Sequence, residues 1–120
     1  MTRTVTVEIP IPPPQLKPNA RVHYMAKAKA TKKHRAVVGM LALAARPLHH
    51  KPFAACSIRA EFYFKQRRRR DPDNLIAWLK SAFDGLRDAG IIVDDWRVTH
   101  EPPIVSIGFP RVVLRVSEVS

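Results

Sequence analysis

The chain has few cysteines, which form the disulfides of many small proteins, and few glycines, which form nucleotide-binding loops. Its 120 residues include one cysteine and four glycines. The single cysteine, Cys56, excludes an internal disulfide framework, and its apolar surroundings predict a core position. None of the glycines has the spacing of a nucleotide-binding loop, so we expect no small-molecule cofactor. There is no apolar run near the ~20 residues of a membrane span and no apolar secretory segment. We therefore expect a cytoplasmic protein without a membrane partner.

Acidic residues are scarce in the first part of the chain. Residues 1–70 contain 16 Lys and Arg but only two acids, a net charge of +14. Residues 71–120 contain five Lys and Arg and eight acids, a net charge of −3. A basic surface around a small acidic centre would give this division, and it indicates binding to a polyanion. Charge alone leaves open a basic protein of the ribosomal type.

Hydrophobic residues make up 46% of the chain, enough for the core of a single domain over residues 1–120. Hydrophobic periodicity and the positions of proline and glycine predict an element order of β-α-β-α-β-β. The predicted strands cover residues 4–9, 54–64, 98–108 and 111–116, and the predicted helices cover residues 26–45 and 72–89. A proline-rich loop separates the first strand from the first helix. This order predicts an α+β two-layer sandwich, with helices on one face of a mixed or antiparallel sheet.

The apolar stripe of each predicted helix identifies the face that should be buried. In the first helix we expect this stripe to comprise Val37, Val38, Leu41 and Ala44. In the second helix, Asp71 is a candidate N-cap, Pro72 suits the first turn and Gly90 suits the position just past the end.

Four arginines run directly into two aspartates at the start of the second helix. These residues are Arg67, Arg68, Arg69, Arg70, Asp71 and Asp73. Arginine suits phosphate, because its guanidinium is a planar and permanently charged fork. Clustered aspartates suit a hard cation such as Mg²⁺ or Mn²⁺. Together they are the equipment for metal-assisted cleavage of a phosphodiester.

Two further groups extend this candidate site. Lys80 and Asp84 follow Asp73 on nearly the same line of the helix, and a lysine there could contact a scissile phosphate. A solvated Lys80–Asp84 pair is the alternative. Asp94 and Asp95 lie where the chain returns from the helix. Adjacent residues of an extended segment point in opposite directions, so we expect only one of them to face the site, and sequence geometry does not choose it.

These acids could instead pair with the local arginines. Unshielded carboxylates would, however, repel the phosphates that the arginines attract. A bound divalent ion removes that conflict, which favours catalysis over passive binding. The histidines and the single cysteine do not have the spacing of a zinc site.

The sequence resembles the RusA family of Holliday junction resolvases, particularly its phage and prophage members. The resemblance rests on three segments in the second half of the chain: Arg69-Arg70-Asp71-Pro72-Asp73-Asn74-Leu75, Phe83-Asp84-Gly85-Leu86, and Asp88-Ala89-Gly90-Ile91-Ile92-Val93-Asp94-Asp95. It extends to Pro12-Pro13-Pro14 and Pro18-Asn19-Ala20-Arg21 at the N-terminal end.

The resemblance implies a homodimeric, Mg²⁺- or Mn²⁺-dependent endonuclease that nicks two opposing strands of a four-way DNA junction in recombination and repair. The family's metal-binding acids match Asp71, Asp73 and Asp95, and Asp94 matches a neighbouring, less critical acid. The family lysine falls at Ala77 in one alignment and at Lys80 in another.

The family's activity also suggests which residues contact DNA. We expect backbone contacts from a basic group on the first helix and in the arginine run, with Asn19 approaching the junction. The basic group comprises Lys27, Lys29, Lys32, Lys33, Arg35 and Arg67, Arg68, Arg69, Arg70. A non-catalytic DNA-binding protein and a nuclease acting on other branched DNA are the alternatives.

Overall fold

The fold is α+β, as the sequence predicted. The computed structural model describes residues 3–94 and 96–119. Five strands form one mixed sheet, and the helices pack against it. In chain order the elements are β1 (Thr4–Ile9), α1 (Tyr24–Ala45), β2 (Cys56–Phe64), α2 (Pro72–Trp78), α3 (Lys80–Asp88), β3 (Val98–His100), β4 (Ile104–Ile107) and β5 (Arg111–Glu118). None of the helices in this part of the chain is long and apolar enough to cross a membrane.

The sheet is centred on β5 and β2. Strand β1 pairs antiparallel with β5, and β5 pairs antiparallel with β2. Strands β3 and β4 pair parallel with the other side of β2, one after the other along its length. Parallel strands need a crossover, and the helical segment between β2 and β3 supplies it. This crossover carries the Arg-Asp motif at its start.

Side chains alternate between the two faces of a strand, and one face of the sheet lies in the core. The apolar residues of β1, β2 and β5 on this face are almost fully buried, and they are Val5, Val7, Ile9, Ile58, Ala60, Phe62, Val112, Leu114 and Val116. Cys56 is buried too, as expected, and burial raises the pKa of its thiol. On the opposite face, Glu61 accepts hydrogen bonds from Arg115 at 2.7 and 3.4 Å. That pair gives the buried Glu61 carboxylate a charged partner on the face of the sheet opposite the core.

Two predicted elements are interrupted in the structure. The predicted helix over residues 72–89 is two helices joined at Leu79, whose backbone (φ −94°, ψ 8°) leaves the helical conformation. The predicted strand over residues 98–108 is two strands, because Pro102 and Pro103 lie between β3 and β4. Proline cannot donate to the ladder of a sheet.

The buried stripe of α1 matches the predicted one at Val38 and differs elsewhere. It consists of His34, Val38 and Ala42, whereas Leu41 is 37% exposed and Ala44 is also exposed. The reason is a close contact with α3 at Gly85. A Cβ on Gly85 would lie 2.9 Å from the Arg35 carbonyl oxygen, so the missing side chain sets which face of α1 is covered.

Two side-chain contacts link α1 to α3. The buried His34 Nδ1 lies 2.7 Å from Ser81 Oγ, and Arg35 Nε and Nη2 donate to the Asp88 carboxylate at 2.6 and 2.8 Å. Burial lowers the pKa of His34, while the hydrogen bond from Arg35 lowers the pKa of Asp88. These contacts fix α3, and hence the crossover segment, against the basic helix.

Candidate nucleic-acid interface and metal centre

The Arg-Asp motif forms the turn between β2 and α2. Asp71 is the N-cap of α2: its Oδ1 accepts hydrogen bonds from the Asp73 amide at 2.8 Å and the Asn74 amide at 3.4 Å. Pro72 occupies the first helical turn, where its missing N–H costs nothing. The predicted cap is therefore confirmed, and the motif begins at a well-defined backbone position.

The cap uses only one oxygen of Asp71. Within residues 3–94 and 96–119, the other oxygen makes no hydrogen bond or ion pair, and the same is true of the exposed Asp73 side chain. Two carboxylates two residues apart thus present oxygen to solvent at the start of α2. Hard oxygen donors of this kind suit Mg²⁺ or Mn²⁺.

The second predicted acidic pair is described only in part. Asp94 is partly buried and its Oδ1 lies 3.9 Å from Arg87 Nη1. Asp95 lies outside the described residues. Within the described ranges, no three His, Cys, Asp or Glu side chains are grouped closely enough to hold a metal ion. The convergence of Asp95 with Asp71 and Asp73 therefore stays a prediction.

A concave site of about 290 Å³, here called the loop cavity, brings distant parts of the sequence together. It lies between the proline-rich loop, the arginine turn and α2. Its lining residues are Lys17, Pro18, Asn19, Phe64, Arg68, Arg69, Arg70, Asp71, Asn74, Leu75 and Trp78. Asn19, which the sequence identified only by its loop position, thus lies at the same cavity as three of the four motif arginines.

Two aromatic rings hold cations at the loop cavity. The Arg70 guanidinium lies 3.6 Å from the centre of the Phe64 ring, and Lys17 Nζ lies 5.0 Å from that of Trp78. Trp78 is itself fixed, because its Nε1 donates to the Pro13 carbonyl at 2.9 Å. Partial burial and the nearby charge of Arg68 lower the pKa of Arg70. Cation–π contacts orient these charges without neutralising them.

Lys80 lies on the next concave surfaces along the crossover. Together with Asp84 it lines two further cavities, one shared with Lys27 of α1 and the other with His100 of β3. Asp84 pairs with Arg87 at 3.7 Å. Within the described part of the chain, Lys80 makes no ion pair, so the alternative of a Lys80–Asp84 pair is not observed.

The ion pairs of the described residues separate the cations into two groups. The first group has carboxylate partners within the protein and comprises Arg3, Arg35, Arg59, Arg87, Arg111 and Arg115. Of the residues predicted to contact DNA, Arg35 alone belongs to this group, through its pair with Asp88. The predicted lysines of α1 and the four motif arginines have no carboxylate partner within residues 3–94 and 96–119. Their charge is left for an external anion.

The predicted lysines of α1 are spread around the helix. Lys27 faces the cavity that contains Lys80, whereas Lys29 and Lys33 line a more apolar groove beside the proline-rich loop. Lys32 is exposed outside these cavities. The structure thus brings Lys27 towards Lys80 and leaves the other lysines on a separate surface.

Three residues of the site were not predicted to bind DNA. Lys17 and Asn74 line the loop cavity, and His100 contacts Phe83 with ring centres 4.5 Å apart and ring planes tilted by 39°. Burial lowers the pKa of His100. Asn74 belongs to the Arg-Asp motif, and Lys17 is next to Pro18-Asn19 in the sequence. Both residues could have been proposed from their position beside these segments. His100 had no comparable signal, because β3 brings it in from far along the chain.

Comparison with known proteins adds one relative. A protein of Xylella fastidiosa (strain Temecula1), named only "Uncharacterized protein", is 33% identical to this chain over 101 residues. The match covers 82% of this chain and 65% of that protein, so the chain spans less than two thirds of its relative. No family model matches the sequence. The resemblance to the RusA family therefore stays a prediction.

Proposed function

We propose that this chain is a metal-dependent endonuclease of the RusA type that cuts four-way DNA junctions. One observation carries the proposal. The loop cavity combines Arg68, Arg69 and Arg70 with Lys17 from a distant loop, directly beside the capping carboxylate of Asp71. Among the described residues these cations have no carboxylate partner, which favours an anionic ligand, while the acid in the same place favours a reaction centre.

The cation arrangement supports DNA as the ligand. The arginine turn and Lys17 line one concave surface, and Lys80 of the crossover and Lys27 of α1 add positive charge at a neighbouring cavity. Each phosphate that these groups neutralise releases condensed counterions, so binding should weaken steeply with salt. Guanidinium groups also fix the orientation of a phosphate through paired hydrogen bonds.

Asp71 and Asp73 suit a divalent cation, with Asp95 as the predicted third ligand and Asp94 beside it. Asp71 offers the oxygen that the helix cap does not use, and Asp73 is exposed in the first turn of α2. When bound, Mg²⁺ or Mn²⁺ would act as a Lewis acid at the scissile phosphate and make a water molecule more acidic. Without a cation, these carboxylates would repel the DNA that the neighbouring arginines attract.

The remaining chemistry belongs to the side chains. Arg69 and Arg70 would position the phosphodiester, and the cap would hold Asp71 in one conformation throughout. Lys80, which has no ion pair among the described residues, would stabilise the negative charge that develops on the phosphate.

A homodimer in the cytoplasm completes the proposal. Two-fold symmetry would give each subunit one of two equivalent strands in a four-way junction, and paired nicks would resolve it.

The alternatives remain a nuclease for other branched DNA and a binding protein without catalysis. The capping role of Asp71 favours the binding protein, because N-capping of α2 accounts for this aspartate without a bound metal.

Cleavage of a synthetic four-way junction tests the proposal. With Mg²⁺, we expect paired nicks from the wild-type protein, none in EDTA and far slower cutting of a linear duplex. Asp73→Asn should bind the junction in EDTA at least as tightly as wild type, because it loses one carboxylate that repels phosphate, but in Mg²⁺ it should cut the junction at least about a hundredfold more slowly. Equal cutting by both proteins, or tight binding without cutting by wild type, would refute the nuclease.

A further inference from the structure

The loop cavity has the form of a nucleotide site rather than of a flat DNA-binding surface. Its volume of about 290 Å³ lies near the lower end of small-ligand sites, which span ~300–1,000 Å³. Three segments surround it: the loop at Lys17, the arginine turn and the first two turns of α2. A duplex is too wide to enter such a space and could touch only its rim.

We propose that the loop cavity binds one nucleotide of an unpaired DNA strand, with its phosphate held between Lys17 and Arg70. The inference rests on the DNA-binding part of the proposed function, and it names the form of DNA that the site recognises. At a branch point, nucleotides lose stacking and pairing more easily than within a duplex. A site for a single nucleotide would therefore favour branched DNA over linear duplex.

The two cations are prepared for a phosphate. Arg70 stacks on Phe64 at 3.6 Å and Lys17 lies over Trp78 at 5.0 Å, yet neither has a carboxylate partner among the described residues. The rings restrict where the cations can go without neutralising them. Binding then costs less side-chain entropy than closing two free side chains around the ligand would.

The rest of the cavity suits a base. Asn19 and Asn74 contribute carboxamides, which carry both donors and acceptors and can match the edge of an unpaired base. Pro18 and Leu75 supply apolar surface for its faces. Trp78 is 6% exposed, with Lys17 near its ring and Phe62 stacked at 6.4 Å, so its role is to position Lys17 rather than to stack on the base.

Binding measured without metal tests this inference separately from catalysis. The probes are a labelled single-stranded oligodeoxynucleotide and the duplex of the same sequence, both in EDTA over a range of salt concentrations. The variants are Lys17→Gln, Arg70→Gln and Phe64→Leu. The matched control is Lys51→Gln, which removes one exposed charge before β2 begins, on the order of 30 Å from the cavity along that strand.

The salt dependence is the slope of the logarithm of the binding constant against the logarithm of the salt concentration. We expect Lys17→Gln and Arg70→Gln each to reduce the magnitude of this slope for single-strand binding by about 0.7, as for one lost phosphate contact. Phe64→Leu should weaken single-strand binding about two- to fivefold, because Arg70 loses its ring. Duplex binding should change much less, and Lys51→Gln should leave the single-strand slope at its wild-type value.

Two results would overturn the inference. If the slopes for Lys17→Gln and Arg70→Gln equalled that of Lys51→Gln, neither residue would contact a phosphate and the proposed phosphate site would be wrong. Equal losses for single strand and duplex would make the cavity part of a general cationic surface. If the wild-type protein bound the single strand as expected but never cut a junction, the proposed nuclease activity would be wrong while the proposed nucleotide site would be supported.

Discussion

Asp71 has two separable roles, and substitution by alanine or by asparagine distinguishes them. Its Oδ1 accepts two amide hydrogen bonds at the start of α2, whereas its second oxygen makes none within the described residues. Alanine removes both the cap and the proposed metal ligand. Asparagine keeps an equally good capping oxygen but removes the negative charge.

The structure sets the size of each effect. Loss of an N-cap costs about 1 kcal/mol, within a range of about 0.5–2 kcal/mol. For a domain of 120 residues this lowers the melting temperature by about 4 °C, from an unfolding entropy of ~2.1 cal/mol/K per residue. Asp71→Ala should show that loss, while Asp71→Asn should melt within about 1 °C of wild type.

Thermal unfolding followed by circular dichroism, together with junction cleavage, completes the test. Both variants should cut at least about a hundredfold more slowly than wild type, although only Asp71→Ala is less stable. Wild-type cutting by Asp71→Asn would mean that the carboxylate serves only as a cap. In that case the metal site would have to be built without it.

Three other predictions concern packing, pH and the crossover lysine. Gly85→Ala should destabilise the fold by about 1–3 kcal/mol in urea titrations, whereas Gly39→Ala, whose Cβ would be 3.8 Å from its nearest neighbour, should be neutral or stabilising. The hydrogen bond from Arg115 holds the pKa of Glu61 below its ordinary value of 4.5, so the free energy of unfolding should fall as pH drops below that value. Glu61→Gln should flatten this pH dependence, which urea titrations between pH about 6 and about 3 would measure. Lys80→Gln should slow single-turnover cutting by about a hundredfold and leave metal affinity unchanged; equal rates would exclude it from the reaction.

Much of the fold could be predicted, because short-range patterns determine its strands. The periodicity of two in β1, β2 and β5 was enough to predict these elements as strands. The face of α1 could not be derived in this way. A hydrophobic stripe predicts Leu41, but the contact at Gly85 depends on a residue far away in the sequence and buries His34 and its partner Ser81 instead.

The site was predictable where the motif is local. Asp71 caps α2 as expected, and the arginine turn lines a cavity beside it. Lys17 was not predicted as a site residue, because its position over Trp78 depends on the folded conformation of the proline-rich loop. Likewise, the ion pair that engages Arg35 with Asp88 joins two helices and has no signature in either segment.

Calorimetric titration with Mn²⁺ tests the central claim most directly, because it measures the metal site without DNA or catalysis. We expect saturable binding by the wild-type protein. Asp73→Asn and Asp95→Asn should each weaken it at least about tenfold, while Lys80→Gln should leave it unchanged. Identical isotherms for wild type and both aspartate variants, or no saturable binding by wild type, would contradict the account.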